Sequence, residues 1–231
     1  MTSAVRGIGW LTKRGFGCIR SDLQYTYEID EGHGILPQRD IFSHPFKNFG
    51  RLDAISRMTA YAVSLALQDA GIEYSPMRKQ DIGIVGTNAE GSLRSDVEYF
   101  RDYLEGGRTL SRANLFIYTL PSSPIGEAAI HFGFLGPVVY AAGAGNELTA
   151  VLDIAGEMVL ADEAPLMLAG KAEPDEAVFM VLARNSGPDT EVLCDLAEAR
   201  SLVEANPDIA DIAGLVRKFS WLASRRGSCE D

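Results

Sequence analysis

The chain has 231 residues, 46% of them apolar and 23% charged, with a net charge of −11, enough to bury a substantial core with one domain as the default. That acidic balance argues against a nucleic-acid binder, which needs lysine and arginine to neutralise phosphate, and gives no support for docking on an anionic membrane. No run nears the roughly 18 apolar residues of a membrane span, and basic residues interrupt the N-terminal stretch before a secretory core forms. The three cysteines, Cys18, Cys194 and Cys229, are scattered and odd in number, as expected of reduced thiols in a cytoplasmic protein. With only three histidines and no cysteine pairs, neither a zinc site nor any other metal or cofactor is expected.

Ala4–Leu11 (AVRGIGWL) reads as a short strand broken by glycines. From Thr12 to Gly50 the pattern dissolves into a long loop with at most a weak hairpin at Tyr25–Ile29, either an interaction surface or a floppy segment. Arg51–Ala70 is the clearest helix, with Leu52, Ile55, Thr59, Ala62, Ala66 and Ala70 at helical spacing and Gly71 placed to end it. Asp81–Thr87 (DIGIVGT) reads as a buried strand followed by the turn Asn88–Gly91. Ser95–Glu105 is a helix capped by Ser95 and stopped at Gly106-Gly107. The Pro121–Pro124 turn opens a helix over Ile125–Phe132, which Ser122 and Ser123 would cap.

Gly136–Glu173 is the most informative stretch. A strand-type run, Val138–Ala142, leads through Gly143-Ala144-Gly145 into a helix from Asn146 to Ala161, and the apolar run Pro165–Ala169 closes it. Strand, tight turn, helix and strand make one βαβ unit. Its glycines allow a close backbone approach at the strand end, where α/β proteins commonly place their chemistry. Glu147, early in the helix, complements the helix dipole. Glu176–Ala183 adds a strand and Glu191–Leu196 a short one; helices at Ala197–Asn206 and Asp208–Ala223 follow, separated by Pro207. The last helix puts Ile209, Ile212, Ala213, Val216, Phe219 and Leu222 on one face.

From Gly136-Pro137 to Ala169-Gly170-Lys171-Ala172-Glu173, the stretch resembles the active-site segment of the β-ketoacyl synthases, condensing enzymes of the thiolase fold. In that family Gly-Pro precedes a strand ending Thr-Ala-Cys, a small-residue turn, a helix, and a strand ending Ala-Gly-Gly-Ala-Glu. Aligned without a gap, the nucleophilic cysteine falls on Gly145, and Lys171, read as a surface lysine, replaces the second glycine. The Gly-rich first strand and the segment Asn114–Leu135, which the family uses for its dimer interface and acyl-pocket lining, resemble it as well.

The resemblance implies an α/β, three-layer thiolase-like half-fold with a mixed, mostly parallel sheet flanked by helices. Residues 1–185 would form a β-ketoacyl-synthase N-terminal-like domain, and 186–231 a C-terminal strand and helical extension packed on it. The family draws its basic groups from a second half that this sequence does not contain. Condensation also needs a thiolate at a helix N-terminus and N–H groups around the thioester oxygen. No catalytic residue is therefore assigned. The expected function is that of a catalytically inactive, chain-length-factor-type subunit beside a full-length β-ketoacyl synthase, in polyketide, aryl-polyene or fatty-acid-type assembly. An acidic acyl carrier protein would dock through the partner, unless Arg94, Arg101, Arg108 and Arg112 form a local basic patch.

Pro121, Ser122, Ser123, Gly143, Gly145 and Asn146 are the expected acyl-pocket or interface residues. The competing reading is a self-associating homodimeric module that binds an acyl or other apolar ligand. A third, altered chemistry through Ser122 or His131, ranks last, since His131 reads as a hydrogen-bonded core histidine and Cys18 as a bystander thiol. Half a thiolase-like fold would either expose an apolar layer to a partner or cover it with the last helix.

Overall fold

Ser3–Thr12 forms β1, and the sheet is built outward from it on both sides. A computed structural model of the chain describes residues 2–21, 23–26, 38–75, 77–109, 112–143, 147–185, 192–205 and 212–227. β1 turns at Lys13-Arg14 into β2 (Gly15–Cys18), and β3 (Gln24–Thr26) lies beyond it, both pairings antiparallel. With β4 (Ile82–Thr87), β5 (Val138–Tyr140), β6 (Leu166–Ala172) and β7 (Ala177–Arg184), the order across the sheet is β3-β2-β1-β7-β6-β4-β5. The two-residue strand β8 (Cys194–Asp195) pairs with the start of β1 off this path. The sheet is mixed, as expected; β5 and β6 run parallel to β4 on either side of it, while the remaining pairings are antiparallel.

The helices, in chain order, are α1 (Gln38–Ile41), α2 (Ala54–Asp69), α3 (Leu93–Glu105), α4 (Ala113–Phe116), α5 (Ser123–Phe132), α6 (Glu147–Leu160), α7 (Leu196–Glu204) and α8 (Ile212–Gly227). Alternation along β7 shows how the sheet separates two cores: Phe179 and Val181 face α2 and α5, whereas Val178, Met180 and Leu182 face α6, α7 and α8. The result is a three-layer α/β/α arrangement. Ile212, Leu215, Val216 and Phe219 of α8 are buried in the second core. The last helix thus packs against that face of the sheet. Ile209, Pro207, Cys229 and the 27–29 part of the expected hairpin fall outside the described residues.

α2 sits unusually close to β1. A methyl group on Gly9 would lie 2.2 Å from the Ala66 nitrogen and 2.3 Å from the Ala62 oxygen, and one on Gly7 would lie 2.4 Å from the Ala70 nitrogen. The alanines recur every four residues along α2 and so present a small-residue row to the two glycines. At the end of this contact the Asp69 carboxylate, 3% exposed, accepts bonds from Ile8 N (2.8 Å), Arg20 N (3.1 Å), Ser21 N (2.9 Å) and the Ser21 hydroxyl (3.0 Å). These N–H groups lack ladder partners where the β1–β2 pairing stops at Gly9–Cys18 and where β1 bulges between Val5 and Gly7.

Three expectations change. The segment after Thr12 is not all loop: β2 and α1 are ordered, and Cys18 lies on β2, fully buried. Its thiol donates to the Leu65 carbonyl at 3.3 Å, and burial, then the charge of Asp69, pushes its pKa up to about 12, so it is an inert core thiol. Helix α3 begins at Leu93 rather than Ser95; Ser92 occupies the cap position with its hydroxyl on Asp96, and the Ser95 hydroxyl reaches Asp53 instead. The expected strand over Glu191–Leu196 shrinks to β8, and Asp195 caps α7 by accepting from Glu198 N at 2.7 Å.

Gly9→Ala is expected to lose about 1–3 kcal/mol of stability, because both atoms it meets are backbone and the helix must move. Gly126→Ala, where nothing lies within 4 Å inside α5, should instead gain about 0.5–1 kcal/mol. Urea unfolding of the two variants side by side checks the contrast.

Candidate functional site

The parallel strands β4 and β6 run out at Thr87 and Ala172, and the chain there builds a cleft of about 310 Å³. Asp53 and Arg57 from the start of α2, Glu90 and Ser92 before α3, Ser95 on α3, and Glu173 after β6 are among its lining residues. Asp53 is the N-cap of α2, accepting from Ser56 N at 2.8 Å, so its orientation is fixed. Crevices beyond the carboxyl ends of parallel strands are where open α/β sheets commonly bind ligands.

Lys171 is not the surface residue expected. Its side chain is 13% exposed and pairs at 3.1 Å with Glu173, itself 18% exposed. The same Glu173 oxygen accepts from Ala89 N at 2.9 Å, tying the end of β6 to the turn after β4. Next to it Asn88 is buried and accepts from the Tyr140 hydroxyl at 3.3 Å, joining the ends of β4 and β5. The hydroxyl of Thr87 is buried in the same region without a hydrogen-bond partner. Desolvation, then the charges of Asp175 and Glu173, raises the pKa of nearby Glu176.

Of the residues expected at a pocket or interface, Gly145 and Asn146 lie outside the described residues, as does Ala144. Gly143 is exposed, with nothing within 4 Å of a would-be Cβ, so no close approach demands a glycine there. Pro121 comes near the strand ends: a Cβ built on Gly91 would lie 3.9 Å from Pro121 and 3.8 Å from the Tyr140 hydroxyl. Ser122 stands at the cap position of α5 without a side-chain bond, and the Ser123 hydroxyl donates backward to the Ile117 carbonyl. Neither caps the helix through its hydroxyl, contrary to expectation.

His131 lies at the other end of α5, nine residues from Ser122, so the two are about 13 Å apart along the helix and cannot act as a pair. Its ring is 8% exposed and stacks on Phe46, with centroids 3.8 Å apart, inside a cluster with Phe42, Tyr74 and Phe132. The core position is as expected, but Nε2 is buried without a hydrogen-bond partner. Desolvation first, and then the charge of His44, lowers its pKa to about 4.

A second surface feature is apolar. Among the described residues, ten of the fourteen exposed large hydrophobic ones fall between positions 93 and 138. Leu93, Val97, Phe100 and Leu104 form a stripe along α3, which buries no residue. Ile130 (74% exposed), Leu135 (67%) and Val138 continue the apolar surface over α5 to β5, which pairs only with β4 at the end of the sheet. Neighbouring packing links the elements, α3 to α4 and the turn Ile117–Thr119, that turn to α5, and α5 to β5. The arginines named as a possible basic patch are interspersed with acids: α3 carries Asp96, Glu98, Asp102 and Glu105 beside Arg94 and Arg101, and Arg112 pairs with Asp102 at 2.8 Å.

Glu173→Ala is expected to cost about 1–3 kcal/mol, the range for stripping partners from buried polar groups, with faster amide exchange at Ala89 as the local signature. For His131, the folded pKa lies below the ordinary 6.5, so the unfolded chain takes up the proton first and stability falls as pH drops from about 6.5 toward 4. His131→Leu should flatten that part of a stability–pH profile.

No family model matches the sequence, and no curated protein matches it either. Solved structures do match in shape. The ishigamide ketosynthase/chain length factor superposes with a TM-score of 0.64 at 16% identity, taking in 84% of this chain and 65% of that one. A β-ketoacyl synthase from Burkholderia phymatum STM815 gives 0.59 at 16% identity, over 79% of this chain and 59% of that one. A type II polyketide synthase acyl-carrier protein in complex with its ketosynthase bound to the hexaketide gives 0.55 at 15% identity, over 80% and 58%. The match thus spans less than two thirds of the length of each of these structures. At such identities the likeness establishes architecture: the chain carries the thiolase-like fold of the β-ketoacyl synthases and chain length factors.

Proposed function

We propose that the chain is a catalytically inactive, chain-length-factor-type subunit that works beside a β-ketoacyl synthase in polyketide, aryl-polyene or fatty-acid-type assembly. The observation that carries this reading is the apolar surface from Leu93 to Val138, presented on a fold shared with ketosynthases and a ketosynthase/chain length factor. Apolar surface of that extent is characteristic of an interface. The outer side of β5, which among the described strands pairs with β4 alone, adds an edge that a second sheet can continue. Gly145 at the position of the family's nucleophilic cysteine supports the inactive assignment, because a glycine offers no atom to attack a thioester. An acyl carrier protein, found with the ketosynthase in one similar structure, would be bound by the partner synthase, since the four acids of α3 outnumber its two arginines.

The native mass of the protein isolated from its own cells, with co-purifying chains identified, tests this directly. The expected result is a stoichiometric complex with a synthase carrying a cysteine and two histidines at its site. Ile130→Asp combined with Leu135→Asp should weaken that complex by about tenfold or more, with little change in thermal midpoint, because both side chains are already exposed. A homodimer without such a partner would overturn the subunit reading in favour of a self-associating, acyl-binding module. A monomer would overturn both.

A further inference from the structure

We infer that the cleft at the strand ends is a binding site for a basic α-amino acid. Every residue that lines it is among the described ones, and its charges fall into two couples of the same spacing. At the start of α2, Asp53 and Arg57 stand one helical turn apart, with Arg57 N bonded to the Asp53 carbonyl at 3.1 Å. On α3, Arg94 and Glu98 repeat the interval with the signs reversed. Side chains four apart on a helix have Cβ atoms about 5–6 Å apart. Among the described residues, neither couple closes into an ion pair. The Ser95 hydroxyl reaches Asp53 at 3.4 Å, so the two helix starts meet at the cleft.

The fold holds three of the charged groups in place. Asp53 accepts from Ser56 N at 2.8 Å, which orients its carboxylate and leaves it further lone pairs. Arg57 donates its Nε to the Leu52 carbonyl at 3.0 Å, so the two outer guanidinium nitrogens remain to grip a carboxylate end-on. Glu173 is engaged by Lys171 and by Ala89 N. The side chains of Glu90, Arg94 and Glu98 have no hydrogen bond or ion pair among the described residues. Groups fixed before binding cost less to order than mobile ones, which favours a specific ligand.

Charge selects the class of ligand. With Glu173 neutralised by Lys171, the cleft sets the carboxylates of Asp53, Glu90 and Glu98 against the guanidinium groups of Arg57 and Arg94, an excess of one negative charge. A phosphate or larger polyanion would meet those carboxylates on a chain of net charge −11. A polyamine would leave both arginines unmatched and be repelled by them. An amino acid with a cationic side chain carries a carboxylate and an ammonium on one carbon, which suits an acid and an arginine one turn apart, and its net charge of +1 balances the set. Its carboxylate is assigned to Arg57 and Arg94, its α-ammonium to Asp53 and Glu98, and its side-chain cation to Glu90. A cleft of about 310 Å³ is at the small end of ligand sites, as such a molecule requires. The site makes no use of the apolar surface and does not depend on the proposed subunit role.

The test is isothermal titration calorimetry of the full chain with L-arginine and with L-lysine. Saturable binding of at least one is expected, weakened about tenfold or more by Arg94→Gln and by Asp53→Asn. Asparagine keeps the cap of α2, so that variant removes the charge without removing the helix start, and an unchanged thermal midpoint confirms that each variant is folded. Agmatine, which lacks the carboxylate, and norleucine, which lacks the side-chain cation, should each bind about tenfold or more weakly than the better amino acid. No saturable binding of either amino acid up to about 10 mM overturns the proposal, as does equal binding by the wild type and both variants. Equal binding of agmatine or of norleucine would remove one of the two recognised charges and also overturn it. Tighter binding of inorganic phosphate than of either amino acid would assign the arginines to a simple anion, with the same consequence.

Discussion

The approach of α2 to β1 is the contact on which the rest of the molecule depends. Gly7 and Gly9 allow helix backbone to touch strand backbone, and the Ala62, Ala66 and Ala70 row meets them. β1 is also the strand from which the sheet extends both ways, toward β2 and toward β7. A helix pressed onto it fixes the first core, and the Asp69 carboxylate then holds the irregular end of the β1–β2 pairing with four hydrogen bonds. A buried carboxylate would be costly without such donors; with them it ties two backbone segments, Ile8 and Arg20-Ser21, to the end of α2. The other end of α2 delivers Asp53 and Arg57 to the cleft at the strand ends. The same contact thus sets where the fold is tight and where it opens.

The second core explains where the exposed apolar surface lies. α6, α7 and α8 together cover the far face of the sheet, and α6 turns Ala150 and Glu157 outward, with Leu160 exposed only at its end. What stays uncovered is displaced to the β5 end, along α3 and α5. Burial of the face and exposure of the edge are complementary outcomes of one packing choice: helices placed beyond β8 fill a layer, but they cannot also cap an edge on the opposite side of the sheet. The interface proposed at that edge follows from what the layer leaves uncovered.

Much of this was readable from periodicity and from one family-like stretch. β1, α2, β4, α5, α6 and β6 follow from apolar spacing and turn residues, and Gly71, with φ of +67°, ends α2 as its position implied. β2 was hidden because GFGC is short and two of its four residues are glycine, so it has no apolar alternation to detect; it is ordered by pairing with β1. Lys171 looked like a surface charge because its partner Glu173 is fixed by Ala89 N only when β6 and the β4 turn are brought together. The cleft was missed for the same reason, since Asp53, Glu90 and Glu173 are far apart in sequence. Ser122, Ser123 and His131 were legible as a turn and a packed ring, but which atoms their polar groups reach was not.

The exposed apolar surface bears on the proposed subunit role. The region around α3, α5 and β5 lies among acidic side chains. An apolar interface supplies area and affinity, whereas a charged one supplies orientation and rate of encounter. In the proposed subunit role the chain contributes no reaction step, so its value to an assembly would come from which chains it holds and in what geometry. An apolar surface on one rigid α/β/α scaffold meets that requirement, and it does so whether or not the cleft at the strand ends admits a ligand. The proposed subunit role therefore comes down to one physical idea: the sheet is the support, and the working part is the apolar edge that its helical layers leave uncovered.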